Sequence, residues 1–86
     1  MVKITRHTAS AATTLTVSGR ISSEHLPELR HVIDEERSGH VVLDLLEVSL
    51  VDVEVVRFLN QCELNGIRIA RCPSYVREWM ARENAS

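Results

Sequence analysis

The residues of this chain best equipped for chemistry are carboxylates set into an apolar run. In "SLVDVEVVRFL", Ser49 to Leu59, Asp52 and Glu54 interrupt a series of valines, and Asp44 precedes them in "VVLDLL". Three uses suit acids so placed. They favour a helix start, where negative charge and the helix dipole interact by about 0.3–1 kcal/mol. They offer hard oxygen ligands near the C-terminal end of a strand, where ligands gather in parallel α/β sheets. They also present charge to a partner. A metal-binding, anion-binding or enzymatic domain would use Asp44, Asp52 and Glu54 together. No glycine-rich phosphate loop accompanies them, however, and no His or Cys stands at a ligand spacing. The sequence therefore argues against an enzyme and implies no cofactor and no metal.

The remaining reactive side chains add little. His25 and His31 are six apart, not the three or four that lets two side chains grip one ion. His7 and His40 fall at strand ends. Cys62 and Cys72 are expected as reduced, core or near-core thiols, with only Arg71 near Cys72 to lower a pKa. A disulfide requires their side chains to meet. Ser49 and Ser74 are the hydroxyls nearest the acidic segment and are candidates for modification, although Ser74 after Pro73 is better placed to cap a helix.

The elements that must hold these groups follow from periodicity. Val2 to His7 and "TTLTVSG" alternate as half-buried strands, with Leu15 and Val17 on one face, a hairpin turn at "TASAA" and Gly19 at the close. Leu26, Leu29, Val32 and Ile33 fall at helical spacing, opposite Arg30, Asp34, Glu35 and Arg37. Ser22 or Ser23 caps that helix, Pro27 sits in its first turn, and Ser38 with Gly39 stops it. "HVVLDLL" reads as a central strand covered on both faces. From near Asp52 the period is helical again, with Val51, Val55, Phe58, Leu59 and Cys62 inward and Arg57, Gln61 and Glu63 outward, ending at Asn65 and Gly66. Ser49 and Asp52 are spaced for a capping-box-like start. "IRIARC" alternates as a last strand, expected parallel to the central one, and a last helix after Pro73 turns Tyr75, Val76, Trp79 and Met80 inward. The expected fold is α/β, a small mixed sheet of about four strands covered by helices in the order ββαβαβα.

Bulk properties fit one domain over residues 1–86. The chain has 86 residues, 44% hydrophobic and 26% charged, and a formal charge of −2. That composition is globular. The near-neutral, mixed charge offers no field for nucleic acid, and Phe58, Tyr75 and Trp79 are too few to stack bases. No run approaches the roughly 20 apolar residues needed to span a bilayer, so direct membrane insertion is not expected and a cytoplasmic location is.

With that order in view, "LTVSGRIS", "LPELRHVIDE", "VVLDLLEVSLVD" and "NGIRIARCPSYVREWM" together resemble the STAS family, the domain of bacterial anti-sigma-factor antagonists, stressosome subunits and sulfate-transporter tails. The resemblance spans about Thr14 to Met80. Its most specific part is the central strand followed by a helix opening on aspartate, Leu43 to Asp52. The family's switch is an Asp-Ser-Ser-Gly-like start to that helix, phosphorylated by a partner kinase. Asp52 matches the aspartate, Val53 the first serine, Glu54 the phosphorylated position and Val55 the glycine. Ser22 replaces the acid that follows the family's early glycine. The resemblance thus implies a non-catalytic interaction module without the usual phosphorylation site, with Glu54 a phosphoserine mimic or the mark of a lost switch. Docking would use the loop from Glu47 to Asp52 with Ser49, Asp52, Val53, Glu54, Arg57, Asn60 and Gln61. The implied partner is an anti-sigma kinase-like regulator or the ATPase of an ABC lipid transporter. Self-association as a homodimer stays open.

Overall fold

The computed structural model describes residues 2–9, 12–36 and 40–85. Two strands begin it, β1 (Lys3–Ala9) and β2 (Ala12–Arg20), antiparallel with Lys3 opposite Ser18 and Thr8 opposite Thr13. Along β2 the pleat sends Thr13, Leu15 and Val17 inward and leaves Thr14, Thr16 and Ser18 half-buried, the alternation of a sheet with one covered face. Of the turn expected over "TASAA", Thr8, Ala9 and Ala12 belong to the strands, and residues 10–11 lie outside the described residues, as do Arg37 and the helix stop expected at Ser38 and Gly39.

After β2 a 3-10 turn, Ser23–His25, leads into α1 (Leu26–Glu35). Ser22 caps the turn rather than the α-helix: its backbone N–H donates to His25 Nδ1 at 3.1 Å. Pro27 falls in the first turn of α1, where its missing N–H costs no hydrogen bond. Leu26 and Leu29 are buried, with Val32 and Ile33 packed beside them. Glu36 ends the helix and accepts a 2.7 Å bond from the hydroxyl of the fully buried Thr13.

The chain returns as β3 (Val41–Asp44), parallel to β2 with Leu43 beside Leu15, and β5 (Arg68–Ala70) lies parallel to β3 on its far side. The sheet is mixed and has five strands, one more than the periodicity suggests. The additional strand, β4 (Val48–Leu50), pairs with β2 beyond the end of β3. It exists because the apolar run breaks at Asp44: Asp44 Oδ1 accepts the Leu46 N–H, and the Val48 N–H bonds back to the Leu45 carbonyl. That turn realigns the chain against Gly19, whose φ of +90° and register shift permit the join. Much of the segment expected as a loop from Glu47 to Asp52 is therefore strand.

Two helical crossovers, α1 from β2 to β3 and α2 (Val53–Leu64) from β4 to β5, advance in one direction across the sheet. Right-handed connections then place both helices on the same face. The last helix, α3 (Ser74–Ala85), packs on α2, and the Asn60 carboxamide donates to the Met80 carbonyl at 2.9 Å. Leu15, Val17, Leu43, Val55, Val56 and Val76, all without solvent exposure, lie in the one core between sheet and helices. On the opposite face Lys3, Thr5 and His7 are exposed and Val42 is only half-buried. The expectation of a central strand covered on both faces is thus corrected: β3 has one helical layer, and continuous hydrophobicity came from the buried Leu45 that follows its outward Asp44. Among the described residues no helix is long and apolar enough to cross a membrane.

Candidate functional site

The acidic segment lies where β4 runs into α2, at the C-terminal end of the parallel strands. Asp52 has extended backbone geometry and is the N-cap of α2, with Oδ1 accepting the Val55 N–H at 3.0 Å. The expected pairing of Ser49 with Asp52 as a capping box is not formed, because Asp52 is itself the cap and Ser49 belongs to β4. The other Asp52 oxygen, Oδ2, accepts the Ser23 N–H at 2.9 Å. One carboxylate thereby satisfies orphan donors at two helical starts and ties the β2–α1 connection to α2.

Glu54 is differently placed. It stands in the first turn of α2 with 58% of its side chain exposed, and its only side-chain partner among the described residues is Arg57, one turn later at 3.4 Å. Arg57 is shared with Glu83 of α3 at 2.9 Å, which raises its pKa. Val53 is half-buried and Ser49 exposed. The Ser49 carbonyl accepts the Tyr75 hydroxyl at 2.6 Å, so Tyr75, expected inward, lies partly exposed across β4. Leu46 and Leu50 are half-exposed along the same edge, an apolar element that periodicity could not place because both fall within a run that reads as core.

The structure therefore gathers Ser49, Asp52, Val53 and Glu54 with Ser22 and Ser23, but not the whole expected docking face. Asn60 is engaged with α3. Gln61 lines a separate cleft between α1 and α2. Ser74 is the first residue of α3, and it is the Pro73 carbonyl that accepts from the Val76 and Arg77 N–H groups at the helix start, so the expected N-cap at Ser74 is moved by one residue.

Asp44, Asp52 and Glu54 each have separate partners. Asp44 is 7% exposed in its side chain and engages the Arg71 guanidinium through Nε, at 3.2 and 3.1 Å, and through Nη2. Arg71 holds its carboxyl below the usual range against the opposing effect of burial, and the Leu46 N–H assists. Arg71 adopts φ +50°, left-handed backbone uncommon outside glycine. Among the described residues no group of three or more His, Cys, Asp or Glu is arranged to hold a metal ion.

Neither cysteine is bonded. Burial pushes the Cys62 thiol up to about 11 and raises Cys72 as well. His25 and His31 face carboxylates, Glu24 at 3.7 Å and Glu35 at 3.6 Å. Compared with known proteins, the chain matches no protein-family model and no curated sequence.

Proposed function

We propose that the chain is a non-catalytic protein-interaction module of STAS type, resembling an anti-sigma-factor antagonist and working without the family's usual phosphorylation site. The observation that carries the reading is the division of labour between the two acids. Asp52 is consumed in holding two helical starts together, whereas Glu54, at the position matched to the phosphorylated serine, is presented to solvent. Its single negative charge imitates part of the −1.5 to −2 carried by a phosphoserine. The helix opening on Asp52 directly after the broken central strand also supports the resemblance.

In this reading the docking surface is the β4–α2 edge: Ser49, Asp52, Val53 and Glu54, with Leu46, Leu50 and Tyr75 adding apolar area. Arg57 sets the orientation of Glu54, and Gln61 lies outside the surface. The partner is a cytoplasmic protein, a kinase-like regulator or, as a narrower variant, the ATPase of a lipid-transporting ABC system. The complex is transient, with salt-sensitive association from its charged rim.

The test is a pull-down from the native cytoplasm with the unsubstituted chain beside Glu54→Ser and Glu54→Lys. The expected result is that a kinase-like regulator or transporter ATPase is retained by one form and lost by another. Identical recovery by all three, or recovery of nothing, would leave Glu54 as helix-start electrostatics and refute the proposal.

A further inference from the structure

The cleft between α1 and α2 lies at the other end of these helices from Asp52. It has a volume of about 260 Å³, below that of sites for drug-sized ligands but suited to an amino-acid-sized one. Its apolar lining comes from Phe58, Ile33, Cys62 and Ile67. Gly66, at φ +87°, lets the end of α2 close so that the Ile67 N–H reaches the Cys62 carbonyl at 2.9 Å, which fixes Ile67 beside the cleft.

Two charges line the same space. The Arg30 guanidinium lies over the Phe58 ring, 5.3 Å from its centroid, and Asp34 follows one helical turn later. Residues four apart on a helix commonly bridge, although the cation-first order is the poorer one. Here neither Arg30 nor Asp34 takes part in an ion pair among the described residues. The contrast with the neighbouring acids is informative. Glu35 is paired with Arg6 at 3.1 Å, and Glu36 with Arg6 at 3.3 Å and Thr13 at 2.7 Å. Asp34 has no such partner among the described residues, and it lies in a last turn without basic residues, where a carboxylate opposes the helix dipole.

We propose that this cleft binds a small zwitterion with an aliphatic tail, of the free apolar amino-acid class. The carboxylate of the ligand meets Arg30, its ammonium meets Asp34, and its side chain covers Phe58, Ile33, Cys62 and Ile67. The site is independent of the docking edge at Asp52 and Glu54. Both charged residues are exposed, so apolar contact supplies most of the affinity and each ion pair adds modestly.

The experiment is a proton–nitrogen NMR titration of the full chain with three probes: L-leucine, 4-methylpentanoate, which lacks the ammonium, and 3-methylbutylamine, which lacks the carboxylate. Saturable shifts are expected at amides of α1 and the C-terminal half of α2, with leucine tighter than either analogue by roughly two- to fivefold, the ratio an exposed ion pair gives. Arg30→Met should abolish the advantage of leucine over the amine, and Asp34→Asn its advantage over the carboxylate. Absence of saturable leucine shifts at these residues would overturn the proposal, as would equal affinity for all three probes on the unsubstituted chain. That comparison needs no variant to fold. Tighter binding of the carboxylate alone would reassign the cleft to anions and also overturn it.

Discussion

Replacing Asp44 tests how much of the central strand depends on one buried acid. In Asp44→Ala the Leu46 N–H loses its charged acceptor at the turn into β4, a part-buried bond of the kind that contributes about 1.5–3 kcal/mol, less where water replaces it. The Arg71 side chain is 60% exposed and its guanidinium returns to water, so the loss of the pair is screened and falls well short of breaking a fully buried one. The net expectation is a loss of about 1–3 kcal/mol, or roughly 5–20 °C in Tm for a domain of this size. Urea unfolding at neutral pH measures it. The pH dependence supplies a second arm. Because the folded-state pKa of Asp44 is depressed, its contribution is present above the unfolded value of about 3.9 and is lost as pH falls through the folded value. The gap between the unsubstituted chain and Asp44→Ala should therefore be wide at neutral pH and narrow in acid below that range. A loss under about 0.5 kcal/mol at neutral pH, the level of an ordinary surface change, would refute the reasoning.

Arg71→Gly should leave a more stable protein than Arg71→Ala, since both lose the Asp44 contact but only glycine accommodates φ +50° without strain; equal thermal midpoints would contradict this. Asp52→Ala should cost about 1–2 kcal/mol, the usual loss of a cap enlarged by the bond to Ser23, while Glu54→Ala changes stability by less than about 0.5 kcal/mol; urea midpoints compare them. Cys62 has a raised folded-state pKa, so its stabilising contribution is intact below the unfolded pKa and falls as pH climbs from there toward about 11. A Cys62→Ala variant should show a flatter alkaline limb than the unsubstituted chain, and Cys72, which is less buried, should react with iodoacetamide before Cys62 does.

Much of the fold could be read from the amphipathic periods alone. The inward sets Leu26 and Leu29 in α1, and Val55, Phe58, Leu59 and Cys62 in α2, are buried as spaced, and the Asn65–Gly66 stop falls where α2 ends. Period does not report how many layers flank a strand, so "VVLDLL" suggested two covered faces when only one carries helices. Nor does it reveal that Asp44 folds the run back on itself to form β4. Tyr75 was misplaced because an aromatic at an inward helical position can still lean across an edge when its hydroxyl finds a carbonyl.

At the candidate site the sequence by itself determined that Asp52 and Glu54 stand near a helix start, since the helical period of Val51, Val55, Phe58 and Leu59 sets in there, but it left the cap open between Ser49 and Asp52. It could not separate their roles. Side chains two residues apart at a helix start point in different directions, and what each meets depends on segments distant in the chain. Ser23, 29 residues before Asp52, is brought to one carboxylate by the β2–α1 connection, while the Arg57 that reaches the other is shared with Glu83 of α3. The same holds for the cleft: Arg30 and Phe58 are unremarkable surface and core positions in sequence, and only the packing of α1 on α2 places a cation over a ring beside an acid.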